Sequence, residues 1–378
     1  MHYRPFGKKG FQASTLGMGC MRLPLEPGKD ASHIDEQAAS QMIHHAIECG
    51  INYIDTAYPY HSGQSERVVG RALQGSWRGR VKLATKLPVW LVKTGEDFDR
   101  YFTEQQEKLR SGIDVYLLHA LGEHSWKTVQ KLGLIERLDR AKREGQIEYA
   151  AFSYHGGPAC FREIVDAYDW DMAQVQMNLV DEHAQAGIEG LRYAAAKGIS
   201  IVVMEPLKGG ALVNSVPPDA RKAMEQAPVR RSPQDWALRW LADMPEVTVV
   251  LSGMSNMEQL QDNLAILADA APNSLSAQER AILEELKPLY QNAQRVGCTG
   301  CAYCLPCPSG VSIPEVFKLY NRTVYERPNQ WHFQQYDGLE ANGQGPSACT
   351  GCGACEEHCP QSIPVPKVMQ EVIQAFRR

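Results

Sequence analysis

Residues 114–119 read Asp114-Val115-Tyr116-Leu117-Leu118-His119: four apolar residues without a polar break, closed by a histidine. A run that is apolar at every position, not at every second one, suits a β-strand buried on both faces. Outward from it, seven more short, mainly apolar runs can be marked: Thr15–Met18, Tyr53–Ile54, Val81–Ala84, Tyr149–Phe152, Ala173–Met177, Ile199–Val203 and Val247–Leu251. Amphipathic stretches lie between them, among them Glu36–Cys49, Glu66–Leu73, Ser125–Arg143 and Met257–Leu267. Eight strand–helix units in about 250 residues fit a closed (β/α)8 TIM barrel of the α/β class. An open doubly wound sheet would need a Gly-rich phosphate fingerprint after its first strand. Gly17-Met18-Gly19-Cys20 lacks the third glycine and the helix opening.

Flanking segments complete the first domain. Gly7-Lys8-Lys9-Gly10, set between apolar positions in Tyr3–Ser14, predicts a small hairpin closing the bottom of the barrel. Ser276-Ala277-Gln278-Glu279 is a capping-box pattern that starts a helix running to about Leu286, which Pro288 limits. The expected division is a barrel over residues 1–290 and a second domain over 291–378.

That second domain carries an internal repeat. Cys298, Cys301 and Cys304 recur as Cys349, Cys352 and Cys355, each shifted by 51. Cys307-Pro308 recurs as Cys359-Pro360, and Ser312-Ile313-Pro314 as Ser362-Ile363-Pro364. A helical stretch follows each copy, Glu315–Tyr325 and Pro366–Phe376. The second run, C-x2-C-x2-C-x3-C-P, has the bacterial ferredoxin spacing for a [4Fe–4S] cluster, whose fourth cysteine ligates the other cluster. The first run is one residue shorter before its last cysteine. The spacing assigns one cluster to Cys298, Cys301, Cys304 and Cys359, and the other to Cys349, Cys352, Cys355 and Cys307. Two four-cysteine zinc sites are the competing reading, but a third cysteine at x2 spacing is awkward for one tetrahedral ion. One cluster with spare thiols is intermediate. The separation of the copies resembles helical two-cluster ferredoxin domains, so a small, mostly α-helical ferredoxin-like domain is expected.

Composition narrows the setting. The 378 residues are 44% hydrophobic and 22% charged, with 39 basic and 44 acidic side chains and a formal charge of −5. Such a balance offers no footprint for nucleic acid or an anionic membrane. No apolar run reaches the ~18 residues of a membrane span, and Met1–Gly7 has no apolar secretory core. Eleven cysteines, an odd total with tight C-x-x-C spacing, speak against a disulfide framework and for a reducing cytoplasm. Cys20, Cys49 and Cys160 read as small buried hydrophobes.

Barrel active sites gather at the C-terminal ends of the strands. Those ends supply Asp55, with Tyr60 in the next loop, then Lys86, His119, Ser153, Gln174 and Asn178, and Met204-Glu205-Pro206-Leu207. Singly, a strand-end Asp is as well a cap and a His as well structural. Four chemically complementary groups at successive ends are a sharper observation.

These residues resemble the aldo-keto reductases. The matching pieces are Asn52-Tyr53-Ile54-Asp55-Thr56-Ala57-x-x-Tyr60, Gly63-x-Ser65-Glu66, Ala84-Thr85-Lys86 and Asp114–His119. Glu205-Pro206-Leu207-x-Gly209-Gly210 and Gly253-Met254-Ser255-Asn256-x-x-Gln259-x-x-x-Asn263 add to them. With its cysteine tail the chain looks like the iron–sulfur-bearing subgroup of that family. The resemblance implies a catalytic tetrad of Asp55, Tyr60, Lys86 and His119, and NADP(H) or NAD(H) bound without a Rossmann fold. The implied reaction interconverts a carbonyl (aldehyde, ketone or sugar) and an alcohol. Tyr60, ordinarily near pKa ~10, would serve as general acid and base, its phenolate favoured by the Lys86 ammonium. Asp55 would hold Lys86, and His119 would position the carbonyl oxygen. Ser153 and Gln174 would meet the carboxamide, Met204 the ring, and Leu207 and Lys208 the pyrophosphate. Gly253 would offer a helix start to phosphate, with Gln259 and Asn263 near adenosine. The chain departs from the family pattern with Tyr154-His155 after Ser153, and with no basic grip for a 2′-phosphate near Gly253 and Gln259.

Two readings of other classes compete. Lys86 as a Schiff-base lyase nucleophile leaves Tyr60 without a task. A non-catalytic redox sensor or regulatory subunit leaves the tetrad unexplained. The clusters are expected to brace the second domain, or to pass electrons to an external partner.

Overall fold

The computed structural model describes residues 1–324 and 328–378. Eight parallel strands close into a barrel: β3 (Leu16–Gly19), β4 (Tyr53–Asp55), β5 (Lys82–Leu87), β6 (Val115–Leu121), β7 (Tyr149–Tyr154), β8 (Met172–Gln176), β9 (Ser200–Met204) and β10 (Val247–Gly253). Each pairs with the next, and β10 returns to β3. They are the eight expected strands, with ends displaced by one to three residues. Apart from Lys82, Ala120, Met204 and Gly253, all their residues are buried on one face or the other, as near-continuous apolar runs require. Gly17 lies where a Cβ would fall 2.6 Å from Val249 and 3.2 Å from Tyr53, so this glycine serves interior packing.

The hairpin forms as expected from β1 (Tyr3–Phe6) and β2 (Phe11–Ser14). Phe6 plugs the floor, joining Tyr53, Tyr149 and Val249 in the barrel's inner apolar cluster. Its ring meets Tyr149 edge-on at 5.2 Å.

Three expectations are corrected. Ser125–Arg143 is two helices, Glu123–Lys131 and Leu134–Arg143, because Gly133 takes a left-handed conformation (φ 62°) and breaks the axis. The helix expected to stop at Leu286 runs over Ala277–Gln291 with Pro288 inside it. Proline's fixed φ is helical, so the chain can keep its helical course past the bond that Pro288 cannot make, and the Asn292 amide still bonds to the Pro288 carbonyl. Cys49 is exposed, unlike Cys20 and Cys160, because it caps the helix Glu36–Glu48 at its solvent end.

By compactness the chain divides into two units: Met1–Leu207 with Gln234–Ala277, and Lys208–Pro233 with Gln278–Arg378. Within the second, helices Ile313–Arg322 and Val365–Ala375 bury Val316, Phe317, Tyr320, Val368, Met369 and Val372 in a core of their own. Each has a proline in its first turn. The expected end of the first of them, Tyr325, lies outside the described residues. Among the described residues no helix is long and apolar enough to cross a membrane.

Candidate active site and cysteine cavities

β4 ends at Asp55, β5 carries Lys86 one residue from its end, and β6 carries His119. The three stand on adjacent strands at the C-terminal rim, because β4 pairs with β5 and β5 with β6. Tyr60 begins the 3-10 turn Tyr60–Gly63 that follows β4. The structure brings all four together. Lys86 Nζ donates to Asp55 Oδ1 at 2.6 Å, to the Thr56 carbonyl at 2.8 Å and to the Tyr60 hydroxyl at 3.2 Å. The Tyr60 and His119 rings meet edge-on at 6.1 Å. Lys86 is fully buried and Asp55, Tyr60 and His119 nearly so.

Burial sets the electrostatics. It pulls the Lys86 ammonium down and pushes the Asp55 carboxyl up, and each partner's charge opposes the other's shift. Three acceptors around Nζ offset the desolvation of the ammonium. Asp55 accepts a second bond, from Gln174 Nε2 at 3.0 Å. His119 is held well below its ordinary value by burial, then by the charges of Lys86 and His155, so it is a neutral imidazole at pH 7. Its Nδ1 is buried without a hydrogen-bond partner.

A second layer fixes these groups. Glu66 accepts from Thr85 Oγ1 and Gln105 Nε2, each at 2.6 Å, and Gln105 also donates to the Lys86 carbonyl at 3.0 Å. Behind Tyr60, His61 and Ser62 both adopt left-handed backbone (φ 53° and 54°). His61 is clamped there: Leu23 N donates to its Nε2 at 3.1 Å, so its Nδ1 donates to the Ala31 carbonyl at 2.7 Å. Two non-glycine residues in this region are strained, and the clamp holds the turn that presents the phenol.

The residues expected around a nucleotide fall as follows. Ser153 Oγ accepts from Ala120 N at 2.8 Å. Gln174 turns its amide to Asp55. Met204 is half-buried at the end of β9, Leu207 is half-buried just beyond it, and Lys208 is buried with φ 51°. Gly253 is exposed at the end of β10. Gln259 lies in the helix Met257–Ala268, where its side chain accepts from Ser255 N at 2.8 Å and its own N–H goes to Asn256 Oδ1. Asn263 is buried and donates to Ser252 Oγ at 3.1 Å. Sequence reasoning missed Arg22, whose stem packs 3.4 Å from where a Gly253 Cβ would sit. It also missed Trp90, half exposed, with its ring 5.1 Å from that of His119. Neither carries a motif; Arg22 lies on a loop and Trp90 on the 3-10 turn Val89–Leu91.

In the second unit the eight clustered cysteines rim two small cavities, four to each. Cys298, Cys301, Cys304 and Cys359 line one, walled by Ile313, Phe317, Ile363 and Val365. Cys307, Cys349, Cys352 and Cys355 line the other, against Val311, Ile313, Val365 and Met369. Among the described residues no three His, Cys, Asp or Glu side chains converge on the position of a single metal ion. Burial, then the neighbouring Cys301 and Cys298, push the Cys304 thiol up to about 12, and burial raises Cys355. Groups of this kind become thiolate ligands only when a bound cation supplies the opposing charge.

Comparison with known proteins gives the same picture. The profile of the Aldo/keto reductase family matches residues 15–287, and that of a 4Fe-4S dicluster domain matches residues 297–363. The oxidoreductase YqkF of Bacillus subtilis is 30% identical across 78% of this chain and 97% of its own length. The NADH-specific methylglyoxal reductase of Escherichia coli is 25% identical across 70% of this chain and 92% of its own. Among solved structures, the holo form of an aldo-keto reductase from Bacillus halodurans superposes with a TM-score of 0.63 at 26% identity, covering 76% of this chain and 96% of that one. The barrel, the strand-end constellation and the profile match agree: the chain belongs to the aldo/keto reductase family, as an NAD(P)-dependent oxidoreductase with a C-terminal 4Fe-4S dicluster domain.

Proposed function

We propose that the barrel interconverts a carbonyl compound and the corresponding alcohol, with Tyr60 exchanging the proton. The carrying observation is the single ammonium shared by Asp55, the Thr56 carbonyl and the Tyr60 hydroxyl. A positive charge 3.2 Å from the phenol oxygen stabilises the negative charge that oxygen bears after giving up its proton. Asp55 keeps that charge in place, and Gln174 keeps Asp55 in place. Neutral His119 can donate one hydrogen bond to a carbonyl oxygen lying between it and Tyr60, fixing the substrate's orientation. Burial of the four groups excludes water from the proton path.

Bound nicotinamide nucleotide supplies or accepts the hydride. Ser153, Met204, Leu207, Lys208, Gly253, Gln259 and Asn263 are the residues proposed to hold it. A related barrel, an aldo-keto reductase of Klebsiella pneumoniae (22% identical, TM-score 0.62), was solved in complex with NADPH. The E. coli relative is named for NADH. Arg22 beside Gly253 brings a cation towards the start of the Met257–Ala268 helix, where a phosphate would be favoured.

In the tail we assign two [4Fe–4S] clusters, one per cavity. Four cysteines on each, supplied by C-x2-C-x2-C runs with a Cys-Pro from the other copy, suit a cube better than zinc. When bound, the clusters supply one-electron chemistry or bracing. Six of the cysteines pack against the tail's apolar core, which supports bracing.

Nucleotide oxidation by anaerobically purified protein, with NADPH and NADH against simple aldehydes, sugars and polyols, tests the whole reading. Turnover that Tyr60→Phe abolishes supports it. No turnover across that panel overturns it in favour of a sensor.

A further inference from the structure

β7 does not stop serving the rim at Ser153. Tyr149 and Ala151 belong to the barrel's inner cluster. Alternation along a strand puts Ser153 on that same inner face, and His155 one step above it. The pairing continues that far, since His155 N donates to the Leu121 carbonyl at 2.7 Å. Tyr154, between them, turns outward onto Phe161, with ring centres 5.0 Å apart. His155 is half-buried and close enough to the tetrad for its charge to act on His119 and for that of Lys86 to act on it.

A chain of hydrogen bonds fixes which nitrogen of His155 carries the proton. Asp181 is the anchor, because a carboxylate only accepts. It takes Asn178 Nδ2 at 3.0 Å and Gln176 Nε2 at 3.4 Å. The Gln176 carbonyl oxygen therefore accepts, and Gln185 Nε2 donates to it. That turns the Gln185 oxygen towards His155, whose Nδ1 lies 3.2 Å away. Nδ1 must carry the hydrogen, and in the neutral ring Nε2 is left as a bare acceptor. Burial favours the neutral ring, holding His155 down to about 4.

We propose that His155 is a specificity-determining residue whose Nε2 accepts a hydrogen bond from a substrate hydroxyl, so that the preferred substrates are hydroxylated carbonyls and their polyol products. The donor set is complementary to that class: His119 and Tyr60 offer hydrogens to the carbonyl oxygen, while His155 asks for one from a neighbouring carbon. A nicotinamide carboxamide could also present an N–H. The position of His155 one step above Ser153 on the inner face of β7 puts it at the rim with the tetrad, which favours the substrate as the occupant.

The inference rests on the reductase reading above, and the test separates the two. Glyceraldehyde carries hydroxyls on both carbons beyond its carbonyl, and propanal carries none. Wild-type protein should favour glyceraldehyde in kcat/KM by about tenfold or more. His155→Phe should bring the two substrates within about threefold, with kcat/KM for propanal and KM for nucleotide changed less than about threefold. Gln185→Met, which removes the partner that orients the ring, should shift the ratio in the same direction and gives a second route if the first variant folds poorly. An unchanged ratio in both variants overturns the assignment. So does a rise in nucleotide KM with both aldehydes losing rate equally, which would place His155 on the cofactor. Failure of wild-type protein to reduce either aldehyde or any other carbonyl overturns the reductase reading, and this inference with it.

Discussion

Gln174 Nε2 donates to Asp55 Oδ2 at 3.0 Å, across the barrel interior from β8 to β4. A residue expected on the nucleotide carboxamide thus braces the carboxylate that holds Lys86. Gln174→Met should lower kcat about tenfold while nucleotide KM stays within about threefold, because the bond lost belongs to Asp55. Steady-state kinetics with NAD(P)H varied at saturating carbonyl would show this split. A large rise in nucleotide KM with unchanged kcat would contradict it.

Tyr60→Phe should cut the chemical step by about 10^2 to 10^4, the usual worth of a positioned acid–base group. Nucleotide affinity, read by fluorescence titration, should change little. Near-normal single-turnover rates in the variant would remove the proposed role.

Lys86→Met should cost stability as well as activity. It strips a fully buried carboxylate of its ion pair, a change worth about 3–5 kcal/mol. Adding Asp55→Asn should recover part of the loss, whereas activity should stay absent. Denaturant titration of the two single variants and the double variant gives the coupling directly. Additive stabilities would deny the pair.

Stability should also fall in mild acid. His155 lies at about 4 in the folded chain, against about 6.5 in the unfolded one. Between those values the unfolded state binds a proton that the folded state refuses. The contribution is therefore whole above about pH 6.5 and is lost as pH drops towards about 4. His119, lowered mainly by burial, acts with the same sign. Denaturation midpoints at neutral pH and at about pH 5 should differ, and His155→Phe should narrow the difference. Equal midpoints in the wild-type protein would contradict the depressed imidazoles.

Cysteine replacements should sort by cavity and not by position in sequence. Cys359→Ala should behave as Cys301→Ala does, and Cys307→Ala as Cys352→Ala does, because those pairs share cavities. Each should lower iron from about eight to about four per chain, the content of one [4Fe–4S] cluster. Iron and sulfide analysis of anaerobic preparations measures it. Loss of all iron from one member of a pair and none from the other would refute the pairing.

The barrel was legible because its strands are mainly apolar: Val115–Leu118 has no polar break, and Val247–Leu251 has only Thr248. Strand ends were less so, since polar Lys86 and His119 continue strands whose apolar runs had already stopped. Asp55, Tyr60, Lys86 and His119 could be picked out from motif and position, and the structure gathers them. The orientation of Gln174 could not, because its partner lies 119 residues away in sequence. Nor could Arg22 and Trp90, which a loop and a 3-10 turn deliver to the rim. Pro288 misled because proline's fixed φ is itself helical, so a missing donor weakens a helix without having to end it.

Each cysteine cavity draws three thiols from one copy of the repeat and the fourth from the other. The copies are thus hostages to each other. During synthesis the earlier chamber stays incomplete until Cys359 emerges, 61 positions after Cys298. Removal of either copy would leave both chambers short of thiols at once.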